Sequence, residues 1–246
     1  MKDSIENKVI SILSSSKPTS IKFIAKKLFI SESTARRYVN ALAKNELVIR
    51  THGGCVPCAK VYENNLPSYF RLTSDNEAKN LIAKHAQTLI KDGDTLFLDS
   101  SSTVYNLASY LRTKNNLTVI TSGLKTATLL VENNIKTYCL GGLVNYNNLS
   151  TNSAYALEFI KNINADLFFF SCDGLNSDGY VCDNSFDECV LRKEFMKQAK
   201  TSVLLIDESK INKLCKYNLC PTEKVDIIIS NKDEKVVYLN NKKSTE

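Results

Sequence analysis

The sequence predicts an α/β protein in which a small helical domain with a β-hairpin precedes a larger domain built on a parallel sheet. From Thr95 onward, short and nearly continuous apolar runs alternate with helical patterns, which is typical of parallel strands covered on both faces. Before residue 58, apolar residues recur at helical spacing instead. Residues 59–73 have a mixed, turn-rich composition. We therefore expect a linker at 59–73 between domains at 1–58 and 74–246.

Three helices are predicted in the first domain. The first covers residues 4–15, where apolar positions share one helical face. The second follows Ser20, and its inward positions are spaced by three or four residues: Ile21, Ile24, Ala25 and Leu28. Ser31 is suited to cap the N-terminus of the third helix. Two helices joined by such a short turn form a helix-turn-helix.

The outward face of the third helix carries side chains that bond phosphates and base edges. A short strand at Leu47–Arg50 and a glycine-rich turn at Thr51–Gly54 follow it and predict a wing. We expect Ser33 and Thr34 to read bases in the major groove, and the two arginines to bind phosphates or bases. The predicted DNA contacts are Ser31, Ser33, Thr34, Arg36, Arg37, Asn40, Arg50, His52 and Gly53.

The positive charge is confined to the first domain. Residues 1–60 contain 11 Lys or Arg and 4 Asp or Glu, a net charge of +7, whereas the remainder contains 21 and 22, a net charge of −1. A local basic excess is typical of proteins that bind polyanions. A solvated lysine-rich face would give the same total, but the helix-turn-helix favours nucleic acid.

Six strands are predicted in the second domain: Thr95–Leu98, Leu117–Thr121, Lys136–Leu140, Ala165–Ser171, Ser202–Ile206 and Asp226–Ile229. In a parallel sheet, ligands bind beyond the carboxyl ends of the strands. The candidate ligand-binding residues at or near these ends are Asp99, Ser100, Ser101, Ser102, Thr103, Thr121, Ser122, Gly141, Gly142, Asp173, Glu188, Arg192 and Lys210.

Each candidate also has an ordinary structural explanation. The hydroxyl-rich stretch Ser100–Thr103 begins a helix predicted to run to Leu111, so it is suited to hold a phosphate, but Ser and Thr also cap helices without binding anything. Glu188 and Arg192 are four residues apart and share a helical face, where a simple ion pair is common. The expected convergence of these residues on one sheet edge favours a binding site.

No metal site, cofactor or membrane segment is expected. Cys55-x-x-Cys58 has metal-ligand spacing, but Cys215 and Cys220 do not form a matching second pair. The eight cysteines are scattered through a chain that looks cytoplasmic, so we expect free thiols. No apolar run approaches the roughly 18 to 20 residues of a membrane helix, and the N-terminus does not resemble a signal peptide. These features indicate a cytoplasmic protein without a membrane partner.

Two motifs in residues 5–56 resemble the DNA-binding domain of the DeoR family of bacterial repressors. They are S-x-x-T-x-R-R, at Ser31 to Arg37, and R-T-H-G-G, at Arg50 to Gly54. The second domain resembles the sensor half of that family, which is similar in fold to ribose-5-phosphate isomerase. The matching segments are Asp99–Thr103, Thr121-Ser122, Gly141-Gly142, Asp173-Gly174, Glu188 with Arg192, and Asp207–Lys210. Ser101 stands where the family usually has Gly, and Arg192 is often Lys.

The resemblance implies a repressor of sugar catabolism genes whose operator affinity is controlled by a phosphorylated sugar. Its partners would be double-stranded operator DNA, the sugar phosphate and further copies of itself, as a homodimer or homotetramer. The Ser100–Thr103 loop would hold the phosphate with Lys210 or Arg192, while Asp99, Asp173 and Glu188 would accept hydrogen bonds from sugar hydroxyls.

Two other functions are compatible with the residues. An aldose–ketose phosphate isomerase would use Glu188 or Asp173 as general base and Lys210 to stabilise an enediolate. The second alternative is a DNA-binding protein whose second domain only assembles oligomers. The fused DNA-binding domain favours a regulator that is not an enzyme. The sugar phosphate, the target genes and the direction of the effector's influence stay open.

Overall fold

The computed structural model describes residues 5–13, 18–45, 47–57, 77–145, 148–232 and 235–238. The chain divides into two compact units, residues 1–75 and 76–246. The predicted linker at 59–73 and the predicted start of the second domain at residue 74 lie outside the described residues. None of the helices in the described ranges is long and apolar enough to cross a membrane.

The first unit contains the predicted helix-turn-helix together with a three-stranded sheet. Its elements are α1 (Ile5–Ser11), β1 (Thr19–Ser20), α2 (Ile21–Leu28), α3 (Glu32–Lys44), β2 (Val48–Thr51) and β3 (Gly54–Pro57). Buried Ile24, Val39 and Leu42 join α2 and α3 in one core. The described part of α1 is shorter than the helix predicted at residues 4–15. Strand β1, which pairs with β3, was not predicted.

The second unit alternates strands and helices. Its helices are α4 (Glu77–Ala86), α5 (Ser102–Ala108), α6 (Leu124–Glu132), α7 (Ala154–Lys161) and α8 (Phe186–Gln198). The strands of its main sheet are β4 (Thr95–Leu98), β5 (Thr118–Thr121), β6 (Lys136–Cys139), β9 (Ala165–Phe170), β12 (Ala199–Ile206), β14 (Ile227–Lys232) and β15 (Lys235–Tyr238). The other strands form two small sheets and are β7 (Leu143–Asn145), β8 (Ser150–Asn152), β10 (Gly174–Leu175), β11 (Tyr180–Asp183) and β13 (Tyr217–Pro221).

The main sheet has the strand order β15-β14-β12-β9-β4-β5-β6. All neighbours are parallel except β14 and β15, so the predicted parallel sheet is confirmed and an antiparallel edge strand is added. After β4, the chain first adds strands on one side and then returns to add β9 on the other. The direction of strand addition therefore changes between β4 and β9, which is where such sheets bind ligands.

Successive residues of the strands point to opposite faces and build two cores. On one face, Phe97 contacts Phe195 of α8, with ring centroids 4.6 Å apart. On the other face, Leu96 and Leu98 pack in a core that includes Leu107 of α5. Burial on both faces explains why the inner strands β4, β5, β9 and β12 are largely apolar.

Candidate DNA-binding and effector sites

The N-terminus of α3 is capped by Ser31, as predicted. Its Oγ accepts a hydrogen bond from the Thr34 amide at 3.1 Å and lies 2.8 Å from each of the Ser33 and Thr34 hydroxyls. The cap fixes the first turn of the helix by satisfying an otherwise unpaired amide. Because Ser31 and Thr34 already serve this local purpose, their contact with DNA stays a prediction.

The exposed face of α3 forms a shallow hollow lined by Ser33, Arg36, Arg37 and Asn40. These residues recur at spacings of three and four, while Val39 on the opposite face is buried. The helix has 13 residues and is about 20 Å long. Its size and polarity are those of a recognition helix that enters a major groove.

The wing is a β2–β3 hairpin with exposed His52 and Gly53 at its turn. Gly53 has a φ of +79°, which favours glycine. A Cβ at Gly54 would lie 2.2 Å from the carbonyl oxygen of Thr19, so a side chain cannot fit there. The Ile21 amide donates to the Gly53 carbonyl at 2.9 Å. The wing is thus fixed to the beginning of α2.

A side-chain hydrogen bond joins the recognition helix to the wing, because Arg50 donates from Nη1 to Oδ1 of Asn40. Both side chains are exposed. The sequence predicted each of them as a DNA contact but did not predict their pairing. The pairing holds the wing strand beside the exposed face of α3.

In the second unit, Asp99 lies at the switch point between β4 and β9 and is 1% exposed. Its Oδ1 accepts a hydrogen bond from the Ser101 amide at 2.9 Å. Its Oδ2 accepts from the Ser171 amide and from Nε of Arg192, both at 3.0 Å. Asp99 therefore connects the loops that follow two neighbouring strands with helix α8.

Arg192 is 5% exposed and is surrounded by carboxylates. Besides Asp99, its Nη1 donates to Oδ2 of Asp183 at 2.7 Å, and its Nη2 lies 3.6 Å from Oε2 of Glu188. We call Asp99, Asp183, Glu188 and Arg192 the Arg192 cluster. The shared face of Glu188 and Arg192 is confirmed. Asp183 was missed, because it ends β11, a strand outside the main sheet whose pairing has no local sequence signal.

Glu188 is held mainly through one of its two carboxylate oxygens. Oε1 accepts hydrogen bonds from Nδ2 of Asn148 at 2.8 Å and from Oγ of Ser150 at 2.6 Å. Oε2 is buried and has no hydrogen bond. Burial raises the pKa of Glu188; Arg192 and the Ser150 hydrogen bond counter this, while Asp99 and Asp183 add to it.

Two further polar atoms at this edge are buried without hydrogen bonds, the hydroxyl oxygens of Ser122 and Ser171. Ser122 follows β5, and Ser171 follows β9. A Cβ at Gly123 would lie 3.0 Å from Cα of Ser100, so glycine lets the loops after β4 and β5 approach each other closely. The strand ends thus bring Asp99 and Ser122 to one edge of the sheet, as predicted from their positions. Ser171 joins them there, although it was predicted only as the last residue of a strand.

Ser101 caps helix α5, and its Oγ accepts a hydrogen bond from the Val104 amide at 3.3 Å. Its φ is −71°, so the backbone conformation here does not require the glycine that the family usually has at this position. Ser100 and Thr103 are buried, whereas Ser102 is half-buried. Capping is therefore observed for Ser101, and the predicted phosphate role of the loop stays a prediction.

The other predicted site residues have local partners. Thr121 accepts a hydrogen bond from the Gly123 amide at 3.0 Å. Lys210 donates from Nζ to the Cys172 carbonyl at 2.6 Å, and Asp173 accepts from Nδ2 of Asn184 at 2.9 Å.

The glycine pair has a structural explanation. Gly142 has a φ of +138°, and a Cβ there would lie 2.3 Å from the Asn152 carbonyl oxygen. Packing of the β7–β8 hairpin therefore accounts for Gly142 without a ligand. Gly141 is exposed, and a Cβ there would meet nothing within 4 Å.

The cysteines of the described residues are free thiols, as predicted. Cys55 is buried in the first unit, and Cys58 lies outside the described residues. Within the described part of the chain, no group of His, Cys, Asp or Glu residues is arranged to hold a metal ion.

The chain resembles a known enzyme in fold. The crystal structure of ribose 5-phosphate isomerase A from Neisseria gonorrhoeae matches 67% of this chain and 96% of its own, with a TM-score of 0.50 and 11% sequence identity. At this identity the likeness concerns the α/β architecture alone.

Two family models match the sequence, a DeoR-like helix-turn-helix domain at residues 6–61 and a DeoR C-terminal sensor domain at residues 74–232. The transcriptional regulator GolR of Listeria innocua is 33% identical over 95% of this chain and 92% of its own length. The glycerol-3-phosphate regulon repressor of Escherichia coli K12 is 28% identical, covering 81% and 79%. The transcriptional repressor GlcR of Bacillus subtilis is 30% identical, covering 83% and 79%. With both models matched in order along one chain, this protein belongs to the DeoR family of transcriptional regulators.

Proposed function

We propose that this protein represses genes of sugar use and that a phosphorylated sugar, bound beyond the carboxyl ends of the main sheet, controls its affinity for operator DNA. The observation that carries the DNA-binding part is the exposed face of α3, with Arg36 and Arg37, in a segment, residues 1–60, whose net charge is +7. The effector part is supported by the match to a sensor domain and by a relative named for the glycerol-3-phosphate regulon.

On DNA, Arg36 and Arg37 bind phosphates or guanine edges, and Ser33 at the start of α3 reads bases. His52 and Gly53 follow the backbone or the minor groove. Contacts to phosphates release counterions, so this binding weakens steeply as salt is added.

The DNA-binding part is tested with a pool of randomised duplexes of about 30 base pairs, selected by binding to the full chain. Fluorescence anisotropy against salt concentration then compares the protein with Arg36→Ala and Arg37→Ala. A variant that loses a phosphate contact has a log–log salt slope smaller by about 1, whereas a variant that loses a base contact relaxes specificity at one position. The exposed Arg112→Ala in the second unit is the matched control and leaves both quantities unchanged. Equal binding by all four proteins would contradict the assignment.

In the second unit, we assign the phosphate to the Ser100–Thr103 loop and Lys210. At the start of α5, backbone amides without helical partners can donate to an anion. For regulation, the ligand must favour one state of the protein over another. A coupling of about 1–3 kcal/mol changes DNA affinity by roughly 5- to 150-fold, and we propose that the sugar phosphate weakens DNA binding.

A thermal-shift screen across sugar phosphates tests the effector site. We expect Ser102→Ala and Lys210→Ala to lose the shift that the unmodified protein gives. Lys161→Ala, which removes a lysine from an exposed ion pair, is the control and keeps the shift. An unchanged shift in both site variants would show that the phosphate binds elsewhere.

We also propose that the working form is a homodimer or homotetramer in the cytoplasm. One recognition helix covers few base pairs, so specific sites are usually repeated and bound by symmetric oligomers. Sedimentation analysis of the full chain with and without duplex DNA measures the number of copies. A monomer on a single half-site would contradict this part of the proposal.

The isomerase alternative is disfavoured because the relatives are named as transcriptional regulators and repressors. Asp173, one proposed general base, is hydrogen-bonded to Asn184, and Glu188, the other, belongs to the Arg192 cluster. Incubation with ribose 5-phosphate tests the alternative directly, because an isomerase would produce the ketose.

A further inference from the structure

The Arg192 cluster contains more negative than positive groups. One guanidinium contacts three carboxylates, those of Asp99, Asp183 and Glu188, and all four side chains are at least nine-tenths buried. Within this cluster, the Arg192 charge can balance that of only one carboxylate. An uncompensated charge is costly to bury, so the cluster disfavours any further negative group.

Three buried oxygen atoms bordering the cluster lack hydrogen bonds: Oε2 of Glu188 and the hydroxyl oxygens of Ser122 and Ser171. Ser171 is joined to the cluster because its amide donates to Asp99 at 3.0 Å. Ser122 is joined to the cluster indirectly. The Ser122 carbonyl accepts a hydrogen bond from the Thr151 amide at 2.9 Å, and Ser150, the residue before Thr151, donates to Glu188.

We propose that the Arg192 cluster selects the effector by the charge at the end of the sugar that is remote from its phosphate. The cluster accepts hydroxyl or amino groups at that end and rejects a carboxylate. The inference rests on the proposed function and specifies its ligand. The accepted class is sugar phosphates and amino-sugar phosphates, and the rejected class is the phosphorylated sugar acids of the same chain length. The phosphate itself lies at the Ser100–Thr103 loop and Lys210.

The chemistry of the three atoms without hydrogen bonds gives the reason. A hydroxyl or ammonium group can donate a hydrogen bond to Oε2 of Glu188. A hydroxyl can also donate to, or accept from, the hydroxyls of Ser122 and Ser171. A carboxylate has no proton to donate and would face the acidic side chains, while Arg192 is already engaged by them. Asn148, which donates to the other oxygen of Glu188, is half-buried.

The test compares matched ligands that differ only at the sugar end. The pairs are ribose 5-phosphate with 5-phosphoribonate and glucose 6-phosphate with 6-phosphogluconate, and glucosamine 6-phosphate is the amino ligand. Calorimetry on the full chain measures each dissociation constant at pH 7. We expect at least one sugar phosphate to bind on the order of tenfold or more tighter than its acid, because one added charge acts at short range in a poorly solvated site.

Glu188→Gln removes one negative charge from the cluster with little change in shape, so the preference for the sugar over its acid falls on the order of tenfold. Glu158→Gln is the matched control, because it removes a carboxylate that is 70% exposed and leaves the preference unchanged. If Glu188→Gln does not fold, Asp183→Asn makes the same change of charge within the cluster.

The outcomes separate the two proposals. Charge selection is overturned if the unmodified protein binds sugar and acid equally, or if Glu188→Gln and Glu158→Gln show an equal preference. Either result leaves the proposal of a sugar-phosphate effector intact. If none of the ligands binds, the proposed effector class is wrong for these sugars, and the inference is overturned with it.

Discussion

Replacement of Arg192 by methionine is expected to destabilise the second unit strongly. Methionine fills part of the space but leaves the carboxylates of Asp99 and Asp183 without their charged partner, at sites where the hydrogen bonds are 3.0 and 2.7 Å long. Removing one partner of a buried ion pair typically costs about 3–5 kcal/mol. For a domain of this size, that loss lowers the melting temperature by roughly 6–20 °C.

Calorimetry of the full chain at pH 7 measures the effect, with Lys161→Met as the control. Lys161 forms an ion pair with Glu158 whose side chains are 51% and 70% exposed, so its loss costs at most about 1 kcal/mol. Arg192→Lys is expected to be intermediate, because lysine keeps the charge but not the planar set of donors. A melting temperature of Arg192→Met within about 2 °C of the unmodified protein would refute the argument that the cluster needs its guanidinium.

Three further changes test other parts of the structure. Because burial raises the pKa of Glu188 above its ordinary value of 4.5, its favourable contribution is present at acidic pH and is lost as the pH rises through the raised pKa. As the pH rises through this range, the free energy of unfolding, measured by denaturant titration, should therefore fall less for Glu188→Gln than for the unmodified protein. An identical pH dependence of the two proteins would contradict this prediction. Gly54→Ala forces a Cβ against the Thr19 carbonyl and should destabilise the first unit by about 1–3 kcal/mol and weaken DNA binding, whereas Gly141→Ala should do neither. Ser31→Ala removes the cap of α3 and should cost about 1 kcal/mol in thermal unfolding, so an unchanged melting temperature would exclude a stabilising cap.

Much of the fold could be predicted because its signals are local. The cap at Ser31 and the spacing of apolar residues in α3 lie within a few positions of one another. The inner strands β4, β5, β9 and β12 contain short apolar runs, because they are largely buried between the two cores, whereas the edge strand β6 is mostly exposed. Strand β1 gave no such signal: it has two residues and exists through its pairing with β3.

The sequence predicted where the site lies, but not which of its side chains contact one another. The rule that ligands bind beyond the strand ends identified Asp99, and helical spacing identified Glu188 with Arg192. The contact between Asp99 and Arg192 joins residues 93 positions apart, and Asp183 reaches the cluster from a small separate sheet. Such contacts depend on the whole topology, so the engagement of Arg192 by three carboxylates was not foreseen.

The amide of Ser171 donates to Asp99 rather than to a backbone carbonyl, and this makes it a natural reporter. An amide exchanges its proton for deuterium when its hydrogen bond opens, at a rate set by the local opening equilibrium. The exchange of this one proton, resolved by NMR, therefore records how firmly the aspartate is held at the junction of β4 and β9. The Ser171 amide is therefore a built-in backbone probe of the strand ends in the second unit.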